Sequence, residues 1–574
     1  MRVENPAYRA RLLKLNAGGA CIKGLPSRNL QPNVRVERIC APETNMVHPG
    51  YRKRTIVLLL AVLLIRFWYG QTFELSGHEA YLWLQGHGSN LSPAYWERGP
   101  LVPLLIRIGT DFFGDTELGV RWIAAVICCG SGFVLFYLAR RWFDARTAFW
   151  TVVLFLVIPM FAWKLSFMTE ASAGIGLMAL AMFGFDHAIE DNKGYWWLLG
   201  GVACGMALLV APSYALWFLG VLAFLAVTPS QRHFLREGWP WIALFISALF
   251  LTPIAWWWHG AQVSDVIHQR ITTSLPLSHG VSLHQYFHFI GLELFYLCPL
   301  FVILLVVVLA QMGRELWENP RYALLLWLAV PGLIWQNCNA FFGRSHFDLV
   351  PALFLPLVLL AGCQVAKLTE KHGRTAWLAG IVLACALLQT LSGLSPYAYA
   401  PKPDGSGYVL KRTRSGENIA NYHARGRQTD WSSLAEAVRT MQSDQGATLL
   451  ITDSPLTAAA LSFYLPHHPL VYVEPRPGVI TQFDFWNSYV ANASPNDSAL
   501  YIARSTNPDH PANPPTEETA KNFASVQPLE DPPLPEFDKS WDVWTCQNFI
   551  GAANQNAAEA PSTPMRDTES LPSK

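Results

Sequence analysis

The sequence predicts an α-helical polytopic membrane protein that carries a small α/β domain at its C-terminal end. Three observations carry this. Charged residues are 14% of the 574, where soluble chains hold about 25%, while 52% are hydrophobic and the mean hydropathy is +0.22. Apolar runs approaching the roughly 20 residues of a spanning helix recur about eleven times. Basic residues gather in alternate loops between those runs, as they do on the cytoplasmic side of a membrane. A net charge of +1 gives no electrostatic ground for a nucleic-acid partner. The cysteines show no CxxC or other metal spacing, and most lie inside apolar runs, where a thiol acts as a small hydrophobe.

Residues 1–54 are polar and basic and read as a cytoplasmic N-terminal extension, too long for an ordinary signal peptide. The transmembrane part is expected over 55–394. Its candidate spans are 55–70, 118–139, 147–163, 167–187, 195–210, 212–227, 240–258, 286–310, 321–338, 347–366 and 375–394. With the N-terminus inside, the inner loops hold Arg140, Arg141 and Arg146, then Lys193, Arg232 and Arg236, Arg314 and Arg321, and finally Lys367, Lys371 and Arg374. An odd number of spans puts the C-terminal segment outside. Two outer regions are then large enough to carry chemistry, the loop 71–116 and the tail. In the tail, residues 395–505 alternate helix and strand signals and predict a small α/β domain. Residues 506–574 are rich in Pro, Asn, Ser and Glu and read as largely disordered. Arg66 and Lys164 are expected to snorkel from span ends. Gly201 and Gly205 form a small-residue packing motif.

The loop 71–116 concentrates His78, Glu79, Tyr81, Trp83, Tyr95, Trp96, Glu97 and Arg98 where a helix leaves the bilayer. A carboxylate there can take a proton from an acceptor hydroxyl, and a cation can neutralise a phosphate leaving group. The same composition also suits an interfacial belt with no chemistry. The acids are too few and scattered to define a metal cage. A transporter would show broken helices in two repeated halves, and no such repeat is visible.

Three strings in this loop and beyond resemble a known superfamily: His78-Glu79-Ala80-Tyr81-Leu82-Trp83, Tyr95-Trp96-Glu97-Arg98-Gly99-Pro100-Leu101, and Phe113-Gly114-Asp115 through Glu117 to Arg121. They are similar to the dolichyl-phosphate-mannose–protein mannosyltransferases, glycosyltransferase family 39, with their bacterial relatives that add aminoarabinose to lipid A. The resemblance covers roughly 55–503. It implies a GT-C-type fold and transfer of a sugar from a polyprenyl-phosphate-sugar donor to an extracytoplasmic acceptor such as lipid A, a glycolipid, a glycan or a protein. It also implies no nucleotide cofactor, since lipid phosphate is the leaving group. By the same resemblance, Glu79 or Glu97, with His78, would take the acceptor proton. Arg98, with Arg344 and His346, would bind phosphate, and Glu170 would position the acceptor or a water.

The departures are specific. The family's first acid of the opening pair is His78 here, its Asp of the fourth span is Glu170, and a Lys before the sixth span is absent from Ala211-Pro212-Ser213-Tyr214. His78 therefore admits three readings. The imidazole replaces the carboxylate as base, a neighbouring Glu takes over, or the chain has lost transfer and only binds or presents a lipid-linked glycan.

Overall fold

The structure is a computed structural model that describes residues 49–95, 99–260, 283–342, 350–370, 374–393, 397–401, 408–412, 430–475, 481–486, 488–504, 514–530, 532 and 541–551. Apolar runs become helices whose ends are set by local capping. Helix α1 spans Pro49–Thr72. Two short helices follow in the first loop, α2 Gly77–Gly86 and α3 Leu101–Phe113. Helix α4, Glu117–Trp142, starts at Thr116, whose hydroxyl accepts from Gly119 N at 3.0 Å, and ends with Arg140 and Arg141 against the negative end of the helix dipole. The next apolar run breaks at Ile158-Pro159, because proline disfavours helix in the residue before it. The two pieces are α5 Ala145–Val157 and α6 Pro159–Lys164. Helices α7 Glu170–Glu190, α8 Tyr195–Leu208 and α9 Ala215–Val227 complete the first half.

Helices α10 Gly238–Leu249 and α11 Thr252–Gly260 form one nearly continuous rod. The run expected as a single span over 286–310 is instead two helices, α12 Leu283–Leu297 and α13 Pro299–Met312, bent by 91°. Pro299 again sets the break. Helices α14 Pro320–Phe341, α15 Val350–Glu370 and α16 Arg374–Gly393 close the bundle. Among the described residues five helices are long and apolar enough to cross a membrane, or seven if each bent pair is one span.

Glycines let these helices meet backbone to backbone. A Cβ on Gly184 would sit 2.7 Å from Gly200 N, and one on Gly201 2.7 Å from Ala243 O. Helices α7, α8 and α10 therefore approach where side chains would hold them apart. At the end of the bundle away from α2, Asp186 accepts from Trp142 Nε1 at 2.6 Å and pairs with Arg141 at 3.2 Å, and Glu190 pairs with Arg321 at 2.6 Å. Arg66 does not snorkel. It turns inward and donates to Ser166 Oγ at 2.9 Å and to Ala162 O at 3.1 Å, capping the C-terminal turn of α6.

The tail holds helix α17 Trp431–Gln445, strand β3 Leu449–Thr452, helix α18 Pro455–Tyr464 and strands β4 Tyr472–Val473 and β5 Ala499–Arg504. A separate hairpin, β1 Tyr397–Pro401 with β2 Tyr408–Arg412, precedes them. The domain does not stop at 505. Strands β6 Phe523–Pro528 and β7 Trp541–Phe549 complete a five-stranded sheet in the order β4-β3-β5-β7-β6, with β7 antiparallel to both β5 and β6. The alternation of buried Trp541 and Val543 with half-buried Asp542 and Trp544 is a strand pattern, concealed in the sequence by the proline-rich stretch before it. Residues 552–574, expected to be disordered, lie outside the described residues.

The first loop seats this domain. Glu74 accepts from Trp431 N at 2.9 Å and Ser432 N at 3.2 Å, so its carboxylate caps α17 from another segment. Tyr464 accepts from Leu75 N at 2.7 Å and donates to Glu117 Oε1 at 3.2 Å, and burial pushes its phenol pKa up and keeps that donor. Trp83 meets Phe463 edge to face at 4.9 Å. Burial also raises the Glu74 carboxyl above its usual range. A raised pKa in the docked state means this contribution is present at low pH and lost as pH rises through the raised value. Glu74→Ala is expected to cut the exchange protection of the Trp431 and Ser432 amides by roughly ten- to a hundredfold. Glu74→Gln should keep most of the protection and flatten its pH dependence. Unchanged protection in the alanine variant would contradict the seating role.

Candidate active site

Helix α2 opens with a capping box. Ser76 Oγ accepts from Glu79 N at 3.1 Å, and Glu79 Oε2 accepts from Ser76 N at 3.1 Å. Glu79 is fully buried. Arg121, on the first turns of α4, grips it bidentately, Nε to Oε1 at 2.8 Å and Nη2 to Oε2 at 2.7 Å. The rest of the guanidinium donates to Phe73 O at 2.6 Å and Glu74 O at 2.7 Å, satisfying the chain as it leaves α1. Met168 N adds a fourth donor to Glu79, to Oε1 at 3.3 Å. A carboxylate offers about four lone-pair sites, and all are taken. The expectation that Glu79 takes an acceptor proton therefore does not fit its surroundings, because it has neither solvent access nor a spare lone pair.

What Glu79 does is tie two segments together. One carries His78, the residue before it. The other, through Met168, carries Glu170 two residues on. These two meet, with His78 Nε2 3.1 Å from Glu170 Oε2. The imidazole side chain is 29% exposed and the carboxylate 4%, so one member of the pair is partly open and the other is buried behind it. Glu170 is the first residue of α7, where the helix dipole favours a negative charge. Ser172 Oγ accepts from Thr169 N at 3.0 Å and fixes that turn. Tyr214 crosses behind it, its hydroxyl 3.5 Å from Glu170 O and in the space a Cβ on Gly174 would need. Arg66, through Ser166, steadies the same connection from below.

Glu97, Arg98, Arg344 and His346 lie outside the described residues. The chain on either side of the first two is pinned. Tyr95 donates to Gln85 O at 2.6 Å, and burial pushes its phenol up to about 12. Gly99 N donates to Val210 O at 3.4 Å and Leu101 N to Leu209 O at 3.3 Å. A Cβ on Gly99 would fall 1.8 Å from Leu209 O, so only glycine allows this approach. Trp83 Nε1 donates to Asp115 Oδ1 at 2.7 Å, joining α2 to the string that leads to Arg121. Among the described residues no three His, Cys, Asp or Glu side chains are grouped to hold a metal ion.

The sequence reading missed Arg121 as a functional partner, although it closes the Phe113–Arg121 string, because its carboxylate is 42 residues away. It also missed Glu74 and Tyr464, whose partners are further still. An arginine at the start of an apolar span was the available signal, since such a charge needs a partner.

Residues 97–257 match the family described as dolichyl-phosphate-mannose-protein mannosyltransferase. The undecaprenyl phosphate-alpha-4-amino-4-deoxy-L-arabinose arabinosyl transferase 2 of Pseudomonas fluorescens is 27% identical over 340 residues, 56% of this chain and 59% of that protein. The corresponding transferase of Pseudomonas aeruginosa is 28% identical over 305 residues, 49% of this chain and 51% of that protein. The chain thus spans between half and three fifths of the length of these curated relatives. The crystal structure of ArnT from Cupriavidus metallidurans bound to undecaprenyl phosphate superposes with a TM-score of 0.56 at 14% identity, covering 87% of this chain and 98% of that one. Its apo form gives 0.53 at 15% identity, over 86% and 98%. At such identities the superposition speaks for the fold. The chain therefore resembles the dolichyl-phosphate-mannose–protein mannosyltransferase superfamily, glycosyltransferase family 39, and its fold is that of the GT-C membrane proteins.

Proposed function

We propose that this chain is a membrane glycosyltransferase that moves a sugar, with inversion, from a polyprenyl-phosphate-sugar donor to a hydroxyl of an extracytoplasmic acceptor. The observation that carries the reading is the His78–Glu170 pair, 3.1 Å apart at the face that seats the C-terminal domain. In this reading the helices make about eleven crossings, with the bent pairs counted once. The N-terminus is cytoplasmic, and the first loop and the sheet domain lie together outside. Their direct contacts through Glu74 and Tyr464 support that placement.

Glu170 holds the proton on Nε2 of His78 and leaves Nδ1 as the base, the way a carboxylate orients an imidazole in hydrolases. Nδ1 takes the acceptor hydroxyl proton as that oxygen attacks C1 of the sugar. The bond from C1 to the phosphate oxygen breaks, and polyprenyl phosphate leaves with the electron pair. Arg98, helped by Arg344 and His346, neutralises the phosphate as charge develops on it. Glu79 and Arg121 position His78 and do not touch substrate. The relatives' donor, an undecaprenyl-phosphate amino sugar, sets the class to try first.

The test is transfer of label from an undecaprenyl-phosphate sugar to lipid A or another envelope acceptor by the protein in sealed vesicles. The wild type should transfer only when both substrates are on the face bearing the C-terminal domain, and Glu170→Gln should be roughly a hundredfold slower. The substitution at His78 also favours a second reading, in which the chain binds or presents a lipid-linked glycan. Binding of undecaprenyl phosphate with no transfer from any donor would select it.

A further inference from the structure

We propose that Glu293 is a second substrate-recognition point, one that takes a primary ammonium group carried by a lipid-borne ligand; the proposal rests on the transferase reading above. Glu293 lies on α12 and is 8% exposed. Its Oε1 is buried with no hydrogen-bond partner, and no lysine or arginine among the described residues is within ion-pair distance of it. An ionised carboxylate withdrawn from water without a counter-charge is costly, and such groups inside membrane proteins mark ligand or ion sites.

The fold places this carboxylate at the site end of the bundle. Tyr286, near the start of α12, contacts Phe341 at the C-terminal end of α14, with ring centroids 5.8 Å apart. Near its other end, Phe295 and Tyr296 pack on Trp163 of α6 at 5.8 and 5.4 Å. Helix α6 leads directly into the connection that carries Glu170. So α12 lies at the bundle end that carries the His78–Glu170 pair, packed on α6 and α14, and a 91° break separates it from α13. Phe289, Glu293 and Leu297 are its buried residues, four apart and so on one face, while Leu283, Phe287, Leu294 and Phe295 are exposed, as on a helix edge that meets lipid.

The ligand class follows from what surrounds the carboxylate. No His, Cys, Asp or Glu trio is present among the described residues, so a metal ion lacks ligands. One carboxylate with Phe289 and Tyr296 a helical turn away on either side suits an ammonium group, which gains from both the charge and the ring faces. Trp163, which packs on Tyr296, is held in place by its Nε1 donating to Thr390 O at 2.9 Å. Two lipid-borne sources share this chemistry, an amino sugar on the polyprenyl-phosphate donor and the phosphoethanolamine headgroup of a bilayer lipid.

The experiment measures binding, so it does not depend on turnover. Protein in nanodiscs is titrated with undecaprenyl phosphate bearing a 4-amino sugar and with the same lipid bearing a 4-hydroxyl sugar, in phosphatidylglycerol alone or with phosphatidylethanolamine. The wild type is expected to prefer the amino donor by roughly tenfold or more, and Glu293→Gln to bind both donors alike. Glu293→Asp, which keeps the charge, should retain part of the preference. If the headgroup is the ligand, phosphatidylethanolamine will abolish the wild-type preference by competition and leave the Glu293→Gln variant unaffected. Equal affinity of the wild type for both donors in phosphatidylglycerol overturns the proposal, as does a Glu293→Gln variant that keeps the preference. Absence of sugar transfer would count against the transferase reading and leave this binding result standing.

Discussion

Replacing His78 with alanine is expected to lower kcat by roughly a hundred- to ten-thousandfold, with little change in the KM of the donor. A general base acts only as the acceptor proton moves, so the loss of one falls on the chemical step. His78→Asp is the informative companion. It puts two acids where one acid and one imidazole now pair at 3.1 Å. It should recover measurable activity and carry it to lower pH, since a carboxylate stays a base where an imidazole is protonated. A His78→Ala enzyme with unchanged kcat would remove His78 from the chemistry and return the role to Glu97.

The second large effect is structural. Arg121→Met is expected to destabilise the protein by about 3–5 kcal/mol, because it leaves the Glu79 carboxylate buried with its counter-charge gone. Arg121 also satisfies Phe73 O and Glu74 O, so the exit of the chain from α1 loosens with it. Lysine cannot replace the fork geometry, and Arg121→Lys should recover little. Thermal unfolding in detergent checks this, with both variants predicted to melt well below the wild type. Glu79→Gln separates positioning from catalysis. It should melt early yet keep a sizeable share of kcat once folded. A stable Glu79→Gln enzyme with no turnover would make Glu79 the base after all.

Much of this architecture is written in local patterns. Apolar runs, alternating loop charge and the caps at Thr116, Asp144 and Asn319 are read within a few residues of where they act. The run over 286–310 shows where that fails. Hydropathy sums the residues and ignores Pro299, which bends the helix and leaves Glu293 on a buried face at the end of the bundle. Strand β7 failed for a related reason, since its partners β5 and β6 are set by non-local pairing. In the site, His78 and Glu170 were each visible as substitutions in recognisable strings. Their meeting across 92 residues was not. Nor was the saturation of Glu79, which depends on donors from Arg121, Ser76 and Met168 converging in space. A carboxylate named by its motif is thus buried and fully hydrogen-bonded here, and the residue beside it is the one left partly open.

The sharpest single measurement is a double-mutant cycle on His78 and Glu170, read as single-turnover kcat for sugar transfer from the polyprenyl-phosphate donor. If the carboxylate acts only through the imidazole, the double variant His78→Ala, Glu170→Gln will be no slower than His78→Ala alone. If the two losses multiply instead, the residues act independently, and the proposed paired base does not exist.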